Sequence, residues 1–313
     1  MSEEPLADLR PTVTRHSVLL PFSALVLAAL AWAGNAVVGR GIRHAYDPLE
    51  LTFYRWGIAC LFLYAVNGKA TRAEFCQARR NFGHLLAGAV CGMAGFHLLQ
   101  YFALSRLPAT EVAVIVGATP LAVTTIQVAL RRAYPAPGIA FGICLGMCGV
   151  FLVCYRAGEI PFHGSRPWAG IGAAIAAMVC WSAWSVRFSQ CKDMSWLGTL
   201  FYMSLASTVM LLPAYVCDVI ISGARLPNLQ LLTQILYLGI PASVVAYALY
   251  NFGIQRVGAL RAAQFNSLIP AFASVLAALL LNESMTAFQV CGLILVVVSL
   301  NFIVLAKSPD AWR

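Results

Sequence analysis

Charge is what this sequence has least of. Charged residues make up 11% of its 313 positions, against about 25% in an ordinary soluble domain. A chain so poor in charge cannot clothe a water-facing surface, which excludes a soluble globular protein. Acids are the scarcest where they would matter most. None of the twelve Asp and Glu residues lies at the centre of an apolar run, and Glu111, Asp218 and Glu283 sit near the ends of such runs.

Metal and redox motifs are missing too. The five histidines are scattered and form no HExxH-type cluster. Of the ten cysteines, nine lie in or at the edge of apolar segments, with Cys76 in a polar loop. The tightest pairs, Cys144/Cys148 and Cys148/Cys154, suit neither a CxxC redox site nor a zinc cluster. They read as small polarizable packing residues, and no metal or cofactor is expected. The net charge of +9 does not mark a nucleic-acid binder, because no basic face with interleaved aromatics exists outside the apolar runs.

Apolar runs are what the chain has in abundance. Apolar residues reach 60%, and the mean hydropathy is +0.78. Runs of about 20 such residues, enough to cross a ~30 Å hydrocarbon layer, recur near 18–40, 48–66, 82–104, 109–130, 136–155, 168–189, 195–217, 231–256, 260–281 and 286–305. Within a bilayer each must be a helix, since every backbone group needs an internal partner. No period-2 alternation argues for a barrel. The expected fold is an all-α polytopic membrane protein of ten transmembrane helices, with the lipid bilayer as its main partner. The first run is a full span flanked by Arg15 and Arg40, so no cleaved signal peptide is expected.

The chain also repeats itself. At an offset of 150 residues, Phe102 meets Phe252, Arg106 meets Arg256, Ala109 meets Ala259, Pro120 meets Pro270 and Gly142 meets Gly292; at an offset of 149, Trp32 meets Trp181. Repetition over half the length signals a duplicated module. The expected organisation is a cytoplasmic tail (1–16), a first five-helix repeat (17–156), an outer linker loop (157–167), a second repeat (168–306) and a short tail (307–313). With the N-terminus inside, cytoplasmic segments hold 14 Lys and Arg against 6 outside, which puts both termini in the cytoplasm. Five spans per repeat then force the copies into opposite orientations. Inverted repeats suit alternating access, with a binding site where the halves meet near the midplane.

These residues resemble the drug/metabolite transporter superfamily, and within it the EamA-type family of ten-helix carriers. The likeness rests on AALAWAGNAVVGR (28–40), ELTFYRWG (50–57), LPATEVAVIVGATP (107–120) and the long stretch 247–284 carrying Asn251, Pro270 and Glu283. One departure is ALRRAYPAP (129–137), where the first copy usually ends its fourth helix with a Gly-Glu pair. The resemblance implies an exporter or exchanger of amino acids or other small metabolites in the cell membrane, of the bacterial inner-membrane type, and not an enzyme. The other readings are an intramembrane enzyme, for which no nucleophile–base pair or metal cluster is visible, and a membrane protein that transports nothing. With no mid-span carboxylate to relay protons, facilitated transport or exchange is the expectation.

Pro120 and Pro270 each lie about eleven residues into a span, roughly 16 Å deep, where a proline kinks a helix and frees a carbonyl. Kink and gate are both open readings. Arg55, seven residues into the second span, has three. It can hold a substrate carboxylate, pair with Glu111, or snorkel outward. Trp32, Asn35, Trp181 and Trp184 fall at mid-depth on the first and sixth spans; His97, Gln100 and Tyr101 fall on the third; Tyr247, Tyr250 and Asn251 fall on the eighth, and Gln264 and Asn266 on the ninth. Polar side chains at such depth face the bundle or a wet cavity, and aromatic walls suit an amphiphilic small molecule, although core packing is the commoner use of such rings. Gly88, Gly92 and Gly95 form one glycine strip and Gly138, Gly142 and Gly146 another. These serve close packing within a monomer or between two copies of a homodimer.

Overall fold

The computed structural model describes residues 15–42, 45–106, 112, 115–117, 119–131, 135–154, 168–188, 191–223, 228–281 and 287–304. Glu111, Glu283, the outer linker, residues 1–14 of the first tail and the whole of the second lie outside the described residues. All regular structure described is helical: α1 (Arg15–Ile42), α2 (Pro48–Ala73), α3 (Phe75–Arg80), α4 (Phe82–Leu104), α5 (Thr119–Arg131), α6 (Pro137–Cys154), α7 (Trp168–Phe188), α8 (Trp196–Ser222), α9 (Leu229–Val257), α10 (Ala259–Gln264), α11 (Leu268–Leu281) and α12 (Ala287–Val304). Among the described residues, α2, α4, α7, α8 and α9 are long and apolar enough to cross a membrane. Shorter apolar helices cover Leu19–Asn35, Pro137–Gly149 and Val290–Ser299.

Local chemistry sets several helix ends. Ser195 caps α8 by accepting from the Gly198 N–H at 3.0 Å, and Asn228 caps α9 by accepting from the Leu231 N–H at 2.8 Å. Gly258, at φ +85°, takes the left-handed turn between α9 and α10 that other residues resist. A short 3₁₀ turn, Phe265–Ser267, separates α10 from α11, and Pro270 is the third residue of α11. The proline's missing N–H and bulky ring oppose a straight continuation there.

The two halves do not form separate lobes. α1, from the first half, packs on α9 and α11 of the second; α7, from the second half, packs on α4 and α5 of the first. α2 pairs with α8, and α6 with α12. Shifting by about 150 residues exchanges the α1 contacts with the α7 contacts and maps the α2–α8 and α6–α12 pairs onto themselves. Smaller features follow the same shift. The Arg106 guanidinium lies 3.6 Å from the centre of the Phe102 ring, and that of Arg256 lies 5.1 Å from Phe252.

Glycine makes the α6–α12 contact possible. A Cβ on Gly149 would lie 2.8 Å from the Gly292 carbonyl oxygen and 2.9 Å from the Val296 nitrogen, both backbone atoms that cannot swing aside. A Cβ on Gly146 would lie 2.9 Å from Ser299 Oγ. Of the strip named above, Gly146 thus serves packing inside one chain, whereas a Cβ on Gly138 would meet nothing within 4 Å. Gly149→Ala is expected to push α12 away and cost about 1–3 kcal/mol, more than the ~1 kcal/mol of helix propensity that alanine gains. A thermal unfolding scan of the purified protein in detergent measures this, and an unchanged midpoint would contradict it.

Candidate functional site

Arg55 is the deepest charge described. Its side chain has 0% exposure, which rules out the snorkelling reading. Nε donates to Ser243 Oγ at 2.6 Å, Nη1 to Asn35 Oδ1 at 2.9 Å and to Tyr101 OH at 3.4 Å, and Nη2 to the Ala242 carbonyl at 3.0 Å. One guanidinium on α2 therefore ties together α1, α4 and α9. All four partners are neutral. Among the described residues no carboxylate takes part, and the Glu111 pairing considered above involves a residue outside them. A cation held only by dipoles in a low-dielectric interior keeps its attraction for an anion.

Two of these helices depart from α-geometry at related places. α4 contains a π-helical turn at Val90–Ala94 and α9 another at Ile240–Val245. Widening a helix to i→i+5 bonding turns carbonyls away from the regular ladder, and such turns gather at functional sites. The Ala242 carbonyl accepts from Trp32 Nε1 at 2.9 Å as well as from Arg55. In the other turn, the Gly92 carbonyl accepts from Tyr247 OH at 2.5 Å. Residues 92 and 242 are 150 apart, so equivalent carbonyls each receive a side chain from the opposite half. A third π-helical turn, Trp184–Phe188, ends α7.

Aromatic rings fill the space beside this network. Trp32 meets Trp181 and Tyr250 at centroid distances of 5.1 Å and Tyr247 at 5.6 Å. Trp184 lies 5.0 Å from Trp181 and 5.1 Å from Tyr247. These are ordinary edge-to-face and offset separations. Trp56 and Phe96 extend the cluster, with Trp56 5.3 Å from Tyr247 and Phe96 5.1 Å from Trp181. The rings expected to wall a cavity thus touch one another. The described conformation holds them as a packed plug, with a cavity of only about 10 Å³ at its edge against α8.

The sequence-selected residues divide by place. Trp32, Asn35, Arg55, Tyr101, Trp181, Trp184, Tyr247 and Tyr250 come together in the network and the plug. His97 joins them at the rim, 5.5 Å from Trp56, with Nδ1 2.8 Å from the carbonyl of Met93 on its own helix. Asn266 donates to Tyr250 OH at 3.4 Å, and Asn251 lines the small cavity. Gln264 is buried but bonds only its own helix, at Leu260 O. Half-buried Gln100 takes part in none of these contacts. Pro120 is the second residue of α5 and Pro270 the third of α11, and the Pro120 carbonyl accepts from Thr124 Oγ1 at 2.7 Å. Trp56, Ser243 and the Ala242 carbonyl were not anticipated, and Gly92 only as part of a glycine strip; the repeat offset linking 92 to 242 is the one signal that could have found the two carbonyls.

Near the start of α2, Asp47, Glu50 and Asp218 bring carboxylate oxygens within 4.8 Å of one another. Glu50 is committed in part to the helix start, accepting from the Asp47 N–H at 3.1 Å. In the adjoining turn, burial above all, and then the Glu50 carboxylate, raise the pKa of the Tyr46 phenol.

The family model for EamA-like transporters matches twice, over residues 20–155 and 168–305. The chain belongs to the EamA-like transporter family. Curated relatives agree with that membership. An "Uncharacterized transporter" of Archaeoglobus fulgidus is 26% identical over 86% of this chain and 91% of its own. One of Clostridium kluyveri is 26% identical over 91% and 94%, and the "Uncharacterized transporter YyaM" of Bacillus subtilis is 22% identical over 80% and 83%. A structure described only as "Crystal structure of protein" shares the fold at a TM-score of 0.71 and 19% identity, covering 92% of this chain and 96% of that one. As an EamA-like transporter, this protein is embedded in the membrane and moves a small molecule.

Proposed function

We propose that this EamA-like protein is a secondary transporter exporting or exchanging a small metabolite such as an amino acid. It works by alternating access between two inverted five-helix repeats that together span the cell membrane ten times, with both termini in the cytoplasm. The observation that carries this reading is the pair of π-turn carbonyls, Gly92 O and Ala242 O, each bonded to a side chain of the other half.

The mechanism follows from near-symmetry. In a flipped duplication, exchanging the roles of the halves yields a second conformation of similar energy, open to the other side. Under the offset, Trp32 bonded to Ala242 becomes Trp181 bonded to Gly92, and Tyr247 bonded to Gly92 becomes His97 bonded to Ala242. The described conformation satisfies the first set, so the opposite one is expected to satisfy the second. A substrate enters as the aromatic plug parts, offering its anionic group to the Nη1 edge of Arg55, where Asn35 and the long Tyr101 contact are the partners easiest to displace. Pro120 and Pro270 sit where α5 and α11 begin and serve as hinges.

One hydrogen bond is worth roughly 1 kcal/mol, or about fivefold in a conformational equilibrium. Tyr247→Phe should therefore favour the opposite conformation by about that factor, and His97→Phe should disfavour it. Labelling of a reporter cysteine from one side of the membrane reads the shift. Shifts in the same direction for both substitutions, or none, would refute the exchange of bonds. Transport itself is tested by mass spectrometry of metabolites released from overexpressing cells, followed by purified protein in liposomes. An unchanged exported set would count against the function. Uphill accumulation driven by a pH gradient alone would defeat the absence of proton coupling.

A further inference from the structure

We infer that the cavity between α7, α8 and α9 is a binding site for a single ordered water molecule. It is lined by Trp184 on α7, Trp196, Thr199, Leu200 and Met203 on α8, and Tyr247 and Asn251 on α9. Three of these residues carry a buried polar atom with no partner among the described residues: Trp184 Nε1, Thr199 Oγ1 and Asn251 Oδ1. Their residue exposures are 2%, 2% and 6%. Leaving such a group bare costs about 1–3 kcal/mol, and buried polar groups in native cores are mostly paired, with protein or with ordered water.

The donor set selects the ligand. Trp184 Nε1 can only donate, Asn251 Oδ1 can only accept, and the Thr199 hydroxyl can do either. A cation is repelled by the indole N–H, and an anion is repelled by the amide oxygen. A neutral molecule that both donates and accepts satisfies all three. The volume, about 10 Å³, leaves room for one water, whose centre needs roughly 10–15 Å³. The water accepts from Trp184, donates to Asn251 and exchanges a bond with Thr199, giving the three or so bonds a buried water usually makes. It is the polar link between α8 and the edge of the aromatic plug.

Hydroxyl-radical footprinting by X-ray radiolysis of the intact protein in detergent tests this, because bound water generates radicals at buried sites. Met203, at 1% exposure, and Trp184 should be oxidised several-fold faster than Met93, at 0%, and Trp32, at 7% and already bonded. Thr199→Val should slow oxidation of Trp184 and Met203, and Thr199→Ser should restore it. If Met203 and Trp184 in the unaltered protein react no faster than Met93 and Trp32, the cavity is dry and the inference falls. That comparison needs no variant to fold.

Discussion

Arg55→Ala is expected to abolish transport while leaving the protein folded in the membrane. Two large terms oppose each other in its stability. The substitution loses four hydrogen bonds from a charged donor, each worth roughly 1.5–3 kcal/mol. It also removes a buried cation whose insertion costs about 2.5–3.5 kcal/mol on translocon scales. The lost bonds outweigh that relief, so thermal stability should fall clearly, and efflux is compared only for variant protein that the melting curve shows to be folded. Function has no such compensation, because the guanidinium both holds α1, α4 and α9 in register and supplies the one positive charge described in the plug. Losing even one of those bonds from one of two exchanging states shifts their ratio about tenfold. Arg55→Lys should fail nearly as badly. A lysine presents its donors from one atom and cannot span the partners that the planar fork reaches on three helices. Efflux from liposomes, measured beside a melting curve, decides it. Folded Arg55→Ala protein with normal efflux would remove Arg55 from the mechanism.

Gly92→Ala is the second large effect. A Cβ there would enter the Trp184 ring, 2.6 Å from its Nε1 and closer still to its carbons. The ring cannot easily retreat, being 5.0 Å from Trp181 and 5.1 Å from Tyr247. Overpacking of this kind costs about 1–3 kcal/mol, against the ~1 kcal/mol an alanine returns in a helix. Displacing Trp184 also disturbs the π-turn whose Gly92 carbonyl receives Tyr247. The expected outcome is lower stability together with strongly impaired transport. Shrinking the neighbour should reverse part of the loss, so the Gly92→Ala, Trp184→Leu double variant should be more stable than the sum of the two single changes predicts. Strict additivity in melting curves would show that Gly92 matters for some reason other than the Trp184 ring.

Much of this architecture is legible in the chain itself. Scarce charge and long apolar runs demand helices in a membrane, and the offset of 150 residues relates α4 to α9, where the π-turns and the Phe–Arg stacks recur. The mid-depth aromatics Trp32, Trp181, Tyr247 and Tyr250 were expected to wall a cavity, and in the structure they meet one another. What they do together was not legible. Rings that wall an open cavity and rings that pack upon each other have the same sequence, and only the helix positions separate the two. The π-turns leave no compositional mark, so the Ala242 and Gly92 carbonyls, which belong to backbone, were invisible. Ser243 was missed because a lone serine in an apolar helix most often bonds its own backbone, and it does so here too, donating to Leu238 O at 2.7 Å. Gln100 and Gln264 show the limit of polarity as a guide to a side chain's place. Polarity at depth says that a side chain needs a partner, and Gln264 finds one within its own helix.

The central claim, that the second half of the chain is the first turned over in the membrane, is tested most directly by sidedness. Single cysteines placed at residues 106 and 256 in a background without accessible cysteines, and labelled with an impermeant maleimide in intact cells, should behave oppositely. Position 106 should react from outside, and position 256 only after the membrane is opened. Labelling of both from the same side would mean that the halves are parallel, and the exchange of π-turn bonds proposed here would have no basis.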